Sequence, residues 1–358
     1  MKFDKIPITI VTGFLGAGKS TLLRSMLTQA EGRKIAVIIN EFGEIGIDGE
    51  LVKAAGCGCI EGEVVELSNG CLCCTVQEEF LPVMKKLVKL KGNIDHIVIE
   101  TSGLALPKPL LKAVNWPDLK PYLTVDAVIT VLDAEGVSNG SICDRNRVSK
   151  QRDADDSLDH ESSIEELLED QLSCADIVVV SKTDLVDRDK FNEGMAAWEK
   201  VIRPGVKRVE AVKGEIPLDV LLGCNSASED DLEGRHDHHH HHHHDDEDGH
   251  SHDHDHDHQH DHHHEDSIVS HKLELPEVES SDQLIAQLKN LVEENDIYRI
   301  KGFLAVKGKA MRMVLQGVGP RFEAYFDQPW ADENSRKSQL VIIGKDLDKS
   351  KLESALLG

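Results

Sequence analysis

Eight residues near the amino terminus constrain the fold of this chain more than any others. Gly13-Phe14-Leu15-Gly16-Ala17-Gly18-Lys19-Ser20 satisfies the pattern G-x-x-x-x-G-K-[ST] at every position. Such a loop needs a buried strand running into it and a helix running out of it. IPITIVTGF supplies an apolar run into a glycine turn, and Leu22 to Ala30 reads as the helix. Glycines let the backbone wrap so tightly that successive N–H groups converge on phosphate oxygens. The start of the helix adds the positive end of its dipole. Gly13, Gly16, Ala17 and Gly18 therefore form a phosphate cradle. Lys19 is expected to reach the β- and γ-phosphates, Ser20 to ligate Mg²⁺ through its hydroxyl, and Thr21 to reach the α-phosphate. The competing reading, a glycine turn that arose by chance, does not account for the complete pattern in this setting.

Four further apolar runs alternate with helical patterns over residues 1–225. They are KIAVIIN, HIVIETSG, VDAVITVLDA and ADIVVVSKTDL. Continuous β-branched strands between helices predict an α/β domain, with a mostly parallel sheet covered by helices on both faces. In such sheets the chemistry collects where strands end. Two strand ends carry candidate groups. Glu100-Thr101-Ser102-Gly103 closes HIVIE: Glu100 is placed to hold Mg²⁺ through water, and the Gly103 N–H to meet the γ-phosphate. The bland alternative for that segment is a capped turn. Ser181-Lys182-Thr183-Asp184 closes IVVVS and is similar to [NT]-K-x-D, with Ser181 where asparagine is usual. One carboxylate, here Asp184, accepts from both N1–H and the exocyclic amine of guanine, while adenine offers it an acceptor instead. The aliphatic stem of Lys182 can cover the base plane. The motif therefore favours GTP over ATP, with Lys19 and Glu100 as the candidate catalytic pair; no residue stands out as the one that orients the attacking water.

Eight cysteines are present, and five of them (Cys57, Cys59, Cys71, Cys73, Cys74) fall within eighteen positions. In a chain of this length without a secretory leader pattern, such clustering points to metal ligands or redox thiols rather than a disulfide framework. Cys71-Leu72-Cys73-Cys74 is the sharper signal: three thiolates leave one position open, which suits a soft or borderline divalent ion held for transfer. Cys57-Gly58-Cys59 either adds a ligand or forms a redox pair. Cys143, Cys174 and Cys224 stand alone and read as small apolar residues. Glu41, just past the second strand, and Asp48, in a glycine-rich loop, either touch a metal ion or are solvated loop acids.

Net charge is −25, of which residues 229–266 carry −14 through fifteen acids and one arginine. Without clustered Lys and Arg, a nucleic-acid partner is not expected. No run approaches the roughly 20 apolar residues that span a bilayer, so no membrane partner is expected and the expected location is the cytoplasm. Within residues 226–267, the stretch from His236 to His264 is almost only His and Asp and holds seventeen of the twenty histidines. It is expected to be a disordered linker that binds several transition ions weakly, without imposing one geometry. From 268 to 358 a smaller α+β domain is predicted. HKLELP, KGFLAVKG, RMVLQGVG, FEAYF and QLVIIGK read as strands. Asp282 to Asn295 reads as an amphipathic helix on one sheet face, and a last helix follows from Lys349.

GFLGAGKST, ETSG, NGCLCC and SKTD, in this order, resemble the CobW-like branch of metal-linked P-loop GTPases, and Arg299-Ile300-Lys301-Gly302-Phe303 looks like the signature of that family's carboxy-terminal domain. The resemblance covers nearly the whole chain. It implies a GTP-gated metal carrier: Mg²⁺-GTP orders the loops around Cys71 to Cys74, and hydrolysis releases the ion to a client protein. GCGCIEGEVVEL and the stretch from Asp153 to Asp176 resemble CobW proper, which implies Co²⁺ as cargo and a cobaltochelatase as client. A Zn²⁺ carrier of the same family and a histidine-rich storage protein are the alternatives. A general ATPase is a further reading, in which ATP would compete well with GTP.

Overall fold

The structure is a computed structural model that describes residues 5–30, 32–39, 64–66, 80–140, 163–223, 268–330 and 336–357. Seven strands form one sheet: β1 (Ile6–Thr12), β2 (Ile35–Ile39), β3 (Val64–Glu66), β4 (His96–Glu100), β5 (Leu123–Asp133), β6 (Ile177–Ser181) and β7 (Lys207–Ala211). Their order is β3-β2-β4-β1-β5-β6-β7, and every neighbouring pair is parallel. The expected parallel sheet is therefore present, with two strands more than the apolar runs announce. β3 is only three residues long. β7 is an edge strand, KRVEA, in which Arg208 and Glu210 are exposed while Val209 and Ala211 are buried.

Side chains alternate between the two faces of this sheet, as the pleat demands. Val11, Val98, Val131 and Val179 point to one face, against Leu22, Leu23 and Met26 of helix Lys19–Thr28. Ile8, Ile10, Ile97 and Ile99 point to the other, against Met84 and Leu87 of helix Leu81–Lys89 and Leu110 of helix Pro107–Val114. Val178 and Val180 on that second face meet Leu167, Leu168 and Leu172 of helix Ile164–Cys174. That helix begins with a reciprocal capping box between Ser163 and Glu166.

The second sheet is antiparallel, with strands β8 (Ile268–Leu275), β9 (Ile297–Leu304), β10 (Met311–Val318), β11 (Arg321–Pro329) and β12 (Ser338–Lys345) in the order β11-β10-β9-β12-β8. Helix Ser281–Glu294 buries Leu284, Leu288 and Leu291 against one face of it, and Leu352 of helix Lys349–Leu357 joins them. β9 begins at Ile297, earlier than KGFLAVKG suggests, because Ile297 and Ile300 also belong to the core. Among the described residues, no helix is long and apolar enough to cross a membrane.

The other face of the second sheet lies on the first domain. Tyr298, Val318, Val341 and Ile343 join the cluster that contains Val220, Leu221 and Leu222. At its centre Arg299, 2% exposed, donates to Asp126 Oδ1 at 2.7 Å and to the carbonyls of Val220 and Leu221. Asp126 Oδ2 accepts from Gly223 N at 2.8 Å and from Thr9 Oγ1 at 3.3 Å. Burial on its own would raise the Asp126 pKa. The Arg299 charge, the nearby His96 and these hydrogen bonds outweigh it and bring the pKa to about 2. A second arginine, Arg321, reaches Asp176 with Nε at 3.2 Å and the Val125 carbonyl with Nη1 at 2.9 Å. Removing one member of the buried Arg299–Asp126 pair would strand a charge, at a cost of about 3–5 kcal/mol.

His96 completes this cluster, with Nε2 2.8 Å from Thr9 Oγ1. Burial pulls its pKa from the ordinary 6.5 down to about 4, against the attraction of Asp126. The imidazole is therefore neutral at pH 7. Because Thr9 donates to Asp126, the His96 proton sits on Nε2 and points at the threonine oxygen. A depressed histidine pKa contributes stability that is complete above pH 6.5 and lost as the pH falls towards 4. The loss is on the order of 3 kcal/mol, at 1.36 kcal/mol per pKa unit. Asp126 adds nothing to this window, since its stabilisation is lost only as the pH falls from the ordinary carboxylate range towards 2. Urea midpoints measured from pH 7 to pH 4 should therefore fall less steeply for His96→Gln than for the wild type. Parallel curves would show that His96 is not the group being titrated.

Candidate functional site

Four adjacent strands, β4, β1, β5 and β6, deliver their carboxyl ends to one edge of the parallel sheet, and every motif of the nucleotide site stands there. β1 ends at Thr12 and turns through Gly13 (φ +135°), Gly16 (φ +83°) and Gly18 (φ +98°) into helix Lys19–Thr28. Left-handed backbone at Gly13 and Gly18 admits only glycine without strain. Gly13 is also closed sterically, since a Cβ there would stand 2.3 Å from the Val131 carbonyl oxygen. Ala17 N–H closes the turn onto Phe14 O at 3.1 Å. Lys19 is 6% exposed, and its Nζ donates to Gly13 O at 2.7 Å and Phe14 O at 3.2 Å. The ammonium is thus held inside the loop where the helix begins. Thr21 is exposed on the first turn of that helix.

Ser20 Oγ, at the start of helix Lys19–Thr28, lies 3.4 Å from Glu100 Oε1 at the end of β4. Two oxygens so close at a strand end fit a small hard cation that takes oxygen ligands at about 2.1 Å. Beyond Glu100, Thr101 N–H donates to Val11 O at 2.9 Å, so the loop after β4 is tied to β1. Gly103 lies directly against the phosphate loop: a Cβ on it would be 2.6 Å from Leu15 N.

The β6 end is joined to the same loop. Ser181 Oγ donates to Ala17 O at 2.6 Å and lies 3.1 Å from Leu132 O. Serine in place of asparagine thus links the Ser181–Asp184 segment to the Gly13–Ser20 loop. Lys182 adopts φ +58°, and its Nζ pairs with Asp133 Oδ2 at 2.5 Å. Asp184 is exposed in the turn Thr183–Leu185, open to a ligand. Asp133 is a site residue that the motifs did not announce; its position as the last residue of β5, in VITVLDA, was the available signal. It also caps the next helix through Glu135 N at 3.0 Å.

Cys57, Cys59, Cys71, Cys73, Cys74, Glu41 and Asp48 lie outside the described residues, as does the histidine-rich segment. Among the described residues no group of three His, Cys, Asp or Glu side chains is arranged to hold a metal ion. The strands on either side do locate where the cysteine segment departs. Ile39 pairs with Glu66 on one side and Glu100 on the other, so the Glu66 and Glu100 backbones are two strand spacings apart, roughly 10 Å. The chain leaves β3 at that point, five residues before Cys71, on the edge that carries the phosphate loop.

The Gly103 contact generates a direct test. Gly103→Ala must push the loop after β4 off Leu15. It should lower GTP affinity relative to GDP affinity, read by fluorescent-nucleotide titration. An unchanged ratio would remove Gly103 from the γ-phosphate site.

Residues 7–210 match the CobW/HypB/UreG nucleotide-binding domain. Residues 268–358 match the cobalamin synthesis protein cobW C-terminal domain. The zinc chaperone CobW of Pseudomonas aeruginosa is 51% identical over 360 residues, covering 98% of this chain and 91% of that protein. The zinc chaperone CobW of Sinorhizobium sp is 44% identical, covering 98% and 96%. The zinc chaperone YjiA of Escherichia coli is 30% identical, covering 99% of each. With the two matches together spanning most of its length, this chain belongs to the CobW/HypB/UreG family and is a P-loop GTPase with a CobW carboxy-terminal domain.

Proposed function

We propose that this GTPase is a metal chaperone that binds Zn²⁺ on the thiolates of Cys71, Cys73 and Cys74 and passes it to a client protein when GTP is hydrolysed. One observation carries the proposal: the chain leaves β3 for the cysteine segment on the sheet edge that also holds Ser20, Glu100 and the Gly103 loop, with the Glu66 and Glu100 backbones roughly 10 Å apart. A γ-phosphate that orders the Gly103 loop then acts on the same sheet edge from which the cysteine segment departs. Full-length relatives named as zinc chaperones support the choice of ion, as does the greater affinity of thiolates for Zn²⁺ than for Co²⁺.

In this reading the cradle from Gly13 to Gly18, with Lys19, binds the β- and γ-phosphates, Thr21 stands towards the α-phosphate, and Asp184 reads guanine with Lys182 along its face. Ser20 and Glu100 would hold Mg²⁺, which would supply charge neutralisation to the phosphates. Water attacks the γ-phosphorus, the bond to the β-phosphate oxygen breaks, and GDP and phosphate form. Lys19 stabilises the charge that develops on the leaving oxygen. Loss of the γ-phosphate frees the Gly103 N–H, and the loops relax.

Cobalt is the second reading, favoured by the match of residues 268–358 to a domain described from cobalamin synthesis. The client would then be the chelatase that places Co²⁺ in the corrin ring. Chelator competition on the full chain and on a chain lacking 236–264 separates carriage from storage. Carriage predicts one tight Zn²⁺ site that survives the deletion and disappears in Cys73→Ser. Loss of all tight binding on deletion would instead assign metal storage to the histidines.

A further inference from the structure

Gln171 is buried without exposure in the middle of helix Ile164–Cys174, among leucines. The Thr130 hydroxyl donates to its carbonyl at 2.8 Å and fixes the helix to β5. Its side chain turns away from the helix and donates from Nε2 to Gly103 O at 3.1 Å and to Ala105 O at 3.3 Å. Gln171 Oε1 is buried with no hydrogen-bond partner among the described residues. An orphaned acceptor costs stability, and Leu or Met would fill the same volume in a cluster that already holds Leu104, Ala105, Leu167 and Leu168. The amide is therefore kept for what its nitrogen does.

We infer that Gln171 is a positioning residue for GTP hydrolysis, holding the Ser102–Ala105 turn so that the Gly103 N–H meets the γ-phosphate. The inference rests on the assignment of Gly103 to the γ-phosphate. The turn is fixed from three sides. Ala105 N–H closes it internally onto Ser102 O at 3.0 Å. The Leu15 backbone abuts Gly103 on the nucleotide side. Gln171 grips both Gly103 O and Ala105 O from behind. With both carbonyls held, the peptides of this turn cannot rotate independently, and the N–H ahead of Gly103 keeps its direction. A donor aimed in advance costs no reorganisation when charge develops on the γ-phosphate oxygens. The same helix leads through Asp176 into β6 and the base-reading segment, so one element braces both ends of the nucleotide site.

The test uses Gln171→Leu, which keeps the volume and removes the donor, and Gln171→Glu, which turns the donor into an acceptor. The expected result for Gln171→Leu is a fall in kcat of about ten-fold or more, as the loss of two hydrogen bonds implies. The GTP-to-GDP affinity ratio should fall as well, with GDP affinity within about two-fold of wild type. For Gln171→Glu, kcat should recover as the pH falls and the buried carboxyl regains a proton to donate, a trend that Gln171→Leu lacks. A purely structural role would lower the melting temperature and weaken GTP and GDP equally, and that result overturns the inference. Gly103→Ala separates the two layers. If it leaves the GTP-to-GDP ratio unchanged, the γ-phosphate assignment itself fails. If it shifts the ratio while Gln171→Leu does not, the Gln171 inference alone fails.

Discussion

Backbone lies directly on backbone at the centre of this protein, and the nucleotide site depends on that contact. The phosphate loop is placed so close to β5 that a methyl group on Gly13 would overlap the Val131 carbonyl oxygen, 2.3 Å away. It lies so close to the loop after β4 that one on Gly103 would reach Leu15 N at 2.6 Å. With no side chain between them, a displacement of one loop is felt by the other at once. Ser181, bonded to Ala17 O at 2.6 Å, extends the same rigidity to the turn that carries Lys182 and Asp184. In the proposed mechanism this closeness is functional, because a γ-phosphate acting on Gly103 would act on the phosphate loop as well.

A second constraint works from the opposite ends of the same strands. β4 begins at His96, inside the buried cluster with Thr9, Asp126 and Arg299, and ends at Glu100 beside Ser20. The carboxy-terminal sheet is thus linked, through Asp126, to the strands that end in the phosphate loop and at Glu100. The Arg299–Asp126 ion pair is buried, at 2% and 1% side-chain exposure, so it fixes the docking geometry more than it adds net stability. Exposed pairs such as Arg188–Glu210 contribute little by comparison.

Much of this was legible in the sequence, for physical reasons that particular residues make plain. Strands of Ile and Val buried on both faces announce themselves, and β1, β2, β4, β5 and β6 did. β7 did not, because an edge strand with three charged residues in five looks like a loop. The phosphate-loop glycines are identified by their backbone requirement, and Lys19 and Ser20 by their side-chain chemistry. Partners distant in the chain were not legible: Arg299 stood in a recognisable RIKGF run, yet nothing marked Asp126 as its counter-ion 173 positions away. Gln171 looked like any helical glutamine until its amide was seen on two loop carbonyls. Ser181 read as a departure from a motif, and the fold shows it linking the two loops. The thiols that name the chemistry lie outside the described residues, so their ligation rests on spacing and on where β3 ends.

The central claim is that nucleotide state sets metal affinity. The most direct measurement is the Zn²⁺ dissociation constant of the full chain with Mg²⁺ and a non-hydrolysable GTP analogue, with Mg²⁺-GDP, and without nucleotide. Coupling predicts binding at least about ten-fold tighter in the analogue-bound state, with the analogue itself bound more tightly by the same factor when Zn²⁺ is present, as linkage requires. One dissociation constant common to all three states would contradict the account.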